Sequence, residues 1–92
     1  MGDVIITYRV RPTGTDVDLD KVLRSVSEKI KEFGGRVGMT EKVPLGFGIV
    51  ELNIVWAFDE RRGSSDELDE RLPKEVEGVE SVDVIGVSRA LG

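Results

Sequence analysis

The feature that most constrains the fold is a regular alternation of apolar and polar residues between Phe47 and Phe58. The apolar side chains fall on even positions, at Val50, Leu52, Ile54, Trp56 and Phe58. Because successive side chains of a strand point to opposite faces, this period of two predicts a strand with one buried face. We therefore predict a central strand over residues 47–58, packed beneath helices.

Three other segments are predicted to pair with this strand. Apolar residues on the even positions from Val4 to Val10 predict a first strand, which ends at Pro12-Thr13-Gly14. A more polar stretch from Arg36 to Val43 is typical of an edge strand. After Gly78, a last strand is predicted with a bulge at Gly86, where the alternation slips. Its apolar residues are Val82, Val84, Ile85 and Val87.

Two segments have the three- and four-residue apolar spacing of amphipathic helices. The first carries Leu19, Val22, Leu23, Val26, Ile30 and Phe33. Acidic residues at its start favour the positive end of the helix dipole, and Gly34-Gly35 favour a left-handed stop. The second helix is predicted to begin at Ser64, which together with Glu67 has the spacing of a capping box. Pro73 is expected to kink or restart this second helix.

The predicted order is strand, helix, strand, strand, helix, strand. This order favours an α+β protein of the ferredoxin-like βαββαβ type, a sandwich with a four-stranded antiparallel sheet and two helices on one face. The chain has 92 residues and no linker composition. We therefore predict a single domain over residues 1–92.

The composition argues against covalent catalysis. The sequence contains no cysteine and no histidine. Disulfides, thiolate ligands, a cysteine nucleophile, the commonest general base and the commonest metal ligand are therefore all missing. We predict that the protein is not an enzyme in the covalent sense and that it has no cofactor, metal site or nucleotide site of its own.

The charge and the apolar runs constrain partners and location. Thirteen basic and eighteen acidic residues give a net charge of -5. This balance works against neutralising phosphates, so a protein partner fits better than direct contact with nucleic acid. No apolar run approaches the roughly 20 residues that span a bilayer, and the start lacks a basic flank. A soluble cytoplasmic protein without a membrane partner is expected.

Two patterns imitate ligand sites but lack required residues. Asp16-x-Asp18-x-Asp20 imitates the start of a calcium loop, yet Lys21 and Ser27 stand where that loop needs glycine and glutamate. The glycines at 34, 35 and 38 follow a helix, whereas phosphate-binding loops precede one. We interpret the two patterns as the start and the stop of the first helix.

The run from Leu45 to Leu52 leaves alternatives open. It resembles the first ribonucleoprotein signature of RNA recognition modules, although Leu45 and Ile49 replace the leading cation and the second stacking ring. RNA binding is therefore one alternative function, and a small regulatory domain that forms a homodimer is another. Phe47 either packs against Pro44 and Met39 or anchors a partner. Arg89, expected just past the last strand, either belongs to a frayed end or has a role.

Two longer runs carry a family resemblance. Val43-Pro44-Leu45-Gly46-Phe47-Gly48-Ile49 with Glu51-Leu52-Asn53-Ile54, and Gly78-Val79-Glu80-Ser81-Val82-Asp83-Val84 leading into Ser88-Arg89, resemble translation elongation factor 1-beta. The start and the length are similar to the archaeal form, which consists of the exchange domain only. This family exchanges guanine nucleotide on elongation factor 1-alpha.

The resemblance implies a partner and contact residues. The partner is the elongation factor 1-alpha GTPase, and GTP loading follows GDP release during translation elongation. In the family, a glycine-flanked aromatic at the place of Phe47 contacts the GTPase, and a lysine near the C-terminus reaches toward its magnesium site. Arg89 stands at the lysine position here, followed by Ala90, Leu91 and Gly92. We predict that Pro44, Phe47 and Arg89 bind the partner and that the free protein is a monomer.

Overall fold

The chain forms one antiparallel sheet with two helices on one of its faces. The structure, a computed structural model, describes residues 2–91, so Met1 and Gly92 lie outside it. The elements are β1 (Gly2–Pro12), α1 (Leu19–Phe33), β2 (Arg36–Gly46), β3 (Ile49–Asp59), a 3-10 turn (Glu60–Arg62), α2 (Asp66–Glu75) and β4 (Val79–Leu91). The strand order is β2-β3-β1-β4. The prediction of a ferredoxin-like fold is confirmed.

The core lies between the helices and the even face of the two central strands. Ile6 of β1 stands opposite Trp56 of β3 and Val87 of β4. Since opposed residues of an antiparallel pair share a face, the even positions of β1 and β3 form one apolar surface. The buried apolar residues are Ile6, Tyr8, Val10, Val22, Val26, Ile30, Phe33, Leu52, Ile54, Trp56, Phe58, Leu68, Leu72, Val76 and Val79.

The start and the stop of α1 follow the prediction. The Asp18 carboxylate accepts hydrogen bonds from the backbone N–H of Asp20 at 3.1 Å and of Lys21 at 3.2 Å, which caps the helix. Gly34 ends it in the left-handed conformation, with φ of 102°. The next glycine is needed for packing, because a β-carbon on Gly35 would lie 2.6 Å from the Trp56 ring.

The start of α2 differs from the prediction. The N-cap residue is Ser65, not Ser64, and its side chain makes no capping hydrogen bond. Its hydroxyl instead donates to Asp69 at 3.3 Å, and the buried Tyr8 hydroxyl donates to the same carboxylate. The capping box is therefore wrong: the Ser64 hydroxyl accepts a hydrogen bond from the backbone N–H of Asp66 at 3.2 Å, not from that of Glu67. Pro73 does not restart α2, because it lies in the last turn of a helix that runs without a break from Asp66 to Glu75.

Three strand boundaries also differ. β2 extends past Val43 to Gly46, and β3 begins at Ile49, not Phe47, because a turn occupies residues 47–48. β4 continues to Leu91. Its irregularity leaves Ile85 without an opposed residue, since Thr7 pairs with Gly86 and the next residue of β1 pairs with Val84. The bulge was thus predicted within one position.

Candidate partner-binding site

A two-residue turn that contains Phe47 joins β2 to β3. Gly46 stands opposite Ile49, so that Phe47 and Gly48 form the whole loop. Their φ angles are 55° and 78°. Positive φ at both positions is the type I′ pattern, which suits the strand twist and favours Asn-Gly. A phenylalanine in the left-handed region costs about 1 kcal/mol, so Phe47 is unfavourable for the turn itself.

The Phe47 ring lies entirely in solvent. Its relative exposure is 101%, and that of Met39 is 69%. The interpretation in which Phe47 packs against Pro44 and Met39 is therefore wrong. The four other aromatic residues, Tyr8, Phe33, Trp56 and Phe58, are buried in the core. The exposed ring and the strained turn both disfavour the folded state, and no packing of the ring offsets them. This points to a functional role for Phe47.

The turn is exposed because the hairpin is longer than the helix beside it. An eleven-residue strand spans about 36 Å, whereas the fifteen residues of α1 span about 22 Å. Lys42 is tied to Asp20 at the start of α1 by an ion pair of 2.9 Å. The hydrogen bond from Lys42 is the main reason that the pKa of the Asp20 carboxyl is lowered. The hairpin projects beyond this contact.

The projecting part of the hairpin carries more apolar surface than the sequence suggested. Pro44 is exposed, and Leu45 and Ile49 are about half exposed beside Phe47. We call these four residues the hairpin tip. Ile49 lies in the predicted strand over residues 47–58, and its exposure beside Phe47 was not predicted. The sequence signal for the turn was the pair of glycines that flank Phe47, since glycine readily adopts the positive φ angles of 104° and 78° found at Gly46 and Gly48.

Arg89 lies within β4, so its predicted place just past the last strand is wrong. It stands opposite Val4, and the ladder continues to Leu91 because β1 begins at Gly2 and supplies the partners. The Arg89 side chain is 70% exposed, and its Nη1 lies 3.6 Å from Oε2 of Glu60. A long contact of this kind between partly exposed groups holds the guanidinium weakly.

Neighbouring arginines are held more firmly. Arg61 donates to both oxygens of Asp59, at 3.0 and 2.7 Å, and these bonds hold the pKa of the Asp59 carboxyl well below its usual range. Arg36 bonds to Asp3. Arg62 lies over the Phe33 ring, 4.3 Å from its centre. Of these four cations, Arg89 is the one most easily recruited by a partner.

Phe47 and Arg89 lie at opposite ends of the sheet. Val4 stands opposite both Arg89 and Phe58, and the nine residue steps from Phe58 back to Ile49 span about 30 Å. The longest dimension of the molecule is 43 Å. The structure thus brings Pro44 and Phe47 together on the hairpin tip but keeps Arg89 remote from them. A partner that meets both patches must present an extended surface.

Other ligand classes find little support in the described residues. No aromatic side chain among residues 2–91 lies on the sheet face opposite the helices, where RNA recognition modules stack bases. The same range contains no cluster of three or more ligand residues suited to a metal ion. Neither α1 nor α2 has the length and apolar composition that a helix needs to cross a membrane.

Comparison with known proteins assigns the class. The profile of the EF-1 guanine nucleotide exchange domain family matches residues 5–90. The chain belongs to this family, and the family resemblance stated from its two sequence runs is confirmed.

The relatives are archaeal proteins named elongation factor 1-beta. That of Methanothermobacter thermautotrophicus is 33% identical over 91 residues, which cover 99% of this chain and 100% of the relative. That of Pyrococcus horikoshii is 42% identical over 88 residues, covering 95% and 94%. That of Metallosphaera sedula is 33% identical over 90 residues, covering 97% of each.

Proposed function

We propose that this chain promotes GDP release from elongation factor 1-alpha, and so GTP loading, with residues 1–92 acting as one exchange domain. The supporting observation is that the Phe47 ring is fully exposed in a strained turn, at the end of the sheet opposite Arg89. The family and its relatives named elongation factor 1-beta indicate the partner GTPase. In this proposal the hairpin tip, including Pro44 and Phe47, docks on the GTPase, and Arg89 acts on the nucleotide site.

The proposed mechanism is electrostatic. A GTPase holds GDP through backbone amides, a lysine and a magnesium ion that offsets the charge of the diphosphate. A guanidinium brought close to the ion disfavours its binding, and loss of the ion weakens the hold on GDP. Arg89 is weakly held by Glu60, so it is free to reach the GTPase once the hairpin tip has docked. No covalent bond forms or breaks, and no histidine or cysteine is needed.

The cycle closes through linkage. A factor that lowers the affinity of the GTPase for GDP is itself bound less tightly while nucleotide is present, because coupling between two ligands is reciprocal. Incoming GTP therefore releases the factor. The proposal includes a cytoplasmic chain that is monomeric when free and makes no direct contact with nucleic acid, in keeping with its net charge of -5.

The test is release of a fluorescent GDP analogue from elongation factor 1-alpha, followed with and without this chain in limiting and in excess magnesium. We expect the chain to accelerate release several-fold, with a smaller acceleration in excess magnesium because the ion competes with Arg89. The control is the GTPase with excess unlabelled nucleotide alone. Equal release rates with and without a stoichiometric amount of the chain would overturn the proposal.

A further inference from the structure

A groove lies on the helix face of the sheet where β4 continues beyond α2. The two elements run antiparallel, and β4 passes under the start of the helix on its way to Leu91. Thirteen strand residues span about 43 Å, whereas ten helix residues span about 15 Å. The end of β4 therefore has no helix above it. The resulting α2/β4 groove has a volume of about 480 Å³.

The groove has an apolar floor and an acidic wall. The floor is formed by Val4, Ile6, Val84 and Val87, and the wall includes Asp66 and Asp69 of α2. Val87 is 67% exposed although it points to the same face as the buried core. An exposed apolar floor next to the core is typical of a surface that a partner covers.

The acidic wall is fixed in place. Asp69 accepts hydrogen bonds from the buried Tyr8 hydroxyl and from Ser65, and partial burial is the main cause that raises the pKa of its carboxyl. Asp66 is exposed at the first residue of α2. Because burial disfavours the charged form of Asp69, the negative charge that is most accessible to a visitor is that of the exposed Asp66 carboxylate, and this charge favours a basic visitor.

The groove is continuous with the Arg89 end of the sheet. Arg89 lines it and lies on the same face as Val87, two residues away along β4. Any partner that Arg89 reaches therefore lies beside the groove.

Resting on the proposed function, we infer that the α2/β4 groove receives a segment of the same GTPase. An apolar side chain of this segment packs over Val84 and Val87. A neighbouring lysine or arginine of the segment lies against Asp66 and Asp69.

A second copy of this chain is a poorer occupant. Two copies related by a two-fold axis would bring the same surface together, and α2 carries Glu67 and Glu70 in addition to the two wall carboxylates. Like charges would then face each other across the interface. The net charge of -5 adds to this repulsion.

The apolar half of the inference is tested with Val87→Thr, a near-isosteric change that retains strand propensity. Its matched control is Met39→Thr, since Met39 has almost the same exposure at 69% but stands opposite Val55 on the other sheet face. We expect Val87→Thr to raise the half-saturating concentration for GDP release at least about threefold, and Met39→Thr to leave it within about twofold of the parent. Equal thermal midpoints check the fold of both variants.

The basic half is tested with Asp66→Asn, with Glu70→Gln on the same helix as control. Asp66→Asn should lower the association rate constant about threefold at low salt, and the difference should vanish at about 0.5 M salt. Glu70→Gln should have the smaller effect at every salt concentration.

Each contrary outcome has a separate meaning. If the parent accelerates release but Val87→Thr behaves like Met39→Thr, the groove assignment fails while the proposed function stands. If Asp66→Asn and Glu70→Gln lower the association rate constant equally, the inference that the GTPase segment places a basic side chain against Asp66 fails. If the parent does not accelerate release, both proposals fail. A dimer of the free chain that Val87→Thr dissociates would also overturn the inference, because the occupant would then be a second copy.

Discussion

The two ends of the sheet are built on the same geometrical principle but carry opposite chemistry. At each end a strand outruns the helix layer, β2–β3 beyond α1 and β4 beyond α2. The hairpin tip exposes Leu45, Phe47 and Ile49 and has no charged side chain among residues 43–50. The other end carries Arg89 among ion pairs. One end is thus suited to apolar docking and the other to electrostatic action.

This difference indicates a division of labour. Buried aromatic contacts supply affinity, whereas a charge near a metal ion changes the stability of a bound nucleotide. Because the two ends are roughly 30 Å apart, a change in one contact is expected to leave the free energy of the other contact unchanged. The sheet between them is stiffened by a core with four buried aromatic rings, with neighbouring centres 5.2 to 5.8 Å apart.

The largest expected effect concerns Phe47. We predict that Phe47→Asn raises the half-saturating concentration of the chain for GDP release by about 30-fold, which corresponds to about 2 kcal/mol of docking energy. The same change should raise the free energy of unfolding by about 1 kcal/mol, because Asn-Gly is a favourable type I′ turn. Titration of the exchange rate and denaturant unfolding measure the two effects.

The opposite signs of these two effects separate docking from folding. Phe47→Ala serves as the control, since it removes the ring without providing the favoured turn residue, and it should weaken docking to the same extent. Unchanged docking in both variants would mean that the hairpin tip does not contact the GTPase. A loss of stability in Phe47→Asn would mean that the ring supports the fold.

The second effect concerns Arg89. We predict that Arg89→Gln lowers the maximal rate of GDP release about tenfold and changes the half-saturating concentration little, because the charge acts after docking. Arg89→Lys, which keeps the charge, should retain much of the rate. Substitution is cleaner than truncation, since Ala90 and Leu91 pair with β1. A loss of docking as large as the loss of rate would contradict the division of labour.

The smallest effect lies between the two ends, in the helix layer. Arg71 at 2.7 Å, and then Lys29 at 3.0 Å, lower the pKa of the Glu75 carboxyl from 4.5 to about 2. The ionised form is thus favoured by folding. Its stabilisation is present above about pH 4.5 and is lost as the pH falls toward about 2.

We predict that Glu75→Gln flattens the pH dependence of the unfolding free energy between these two values, as measured by urea unfolding at a series of pH values. Exchange at neutral pH should stay unchanged, because Glu75 lies at neither end of the sheet. Glu70→Gln is the matched control on the same helix. A change in exchange rate with Glu75→Gln would show that the helix layer takes part in the function.

The sequence predicts the fold well where the signal is periodic. The even faces of β1 and β3 and the apolar stripe of α1 depend on local alternation, and their burial follows the prediction. Boundaries that depend on pairing are less accessible: β4 reaches Leu91 because β1 begins at Gly2. The capping box at Ser64 fails because α2 begins after Ser65, one residue later than predicted, so that the Ser64 hydroxyl accepts from Asp66 and not from Glu67.

The candidate site divides in the same way. Phe47 was singled out because glycines flank it, but an apolar residue before an alternating run also fits a strand, so the turn was missed. No sequence pattern indicates the α2/β4 groove, because Val84 and Val87 have the apolar character of ordinary buried strand residues. Their exposure depends on the length of α2 relative to β4, which is a property of the assembled fold.

The most direct test of the account is a double-mutant cycle on the exchange efficiency, the maximal rate divided by the half-saturating concentration. Phe47→Ala and Arg89→Gln are measured singly and together. Contacts about 30 Å apart should act independently, so the loss in the double variant should equal the product of the single losses within about twofold. A double variant no worse than the more damaging single variant would contradict two separate contacts.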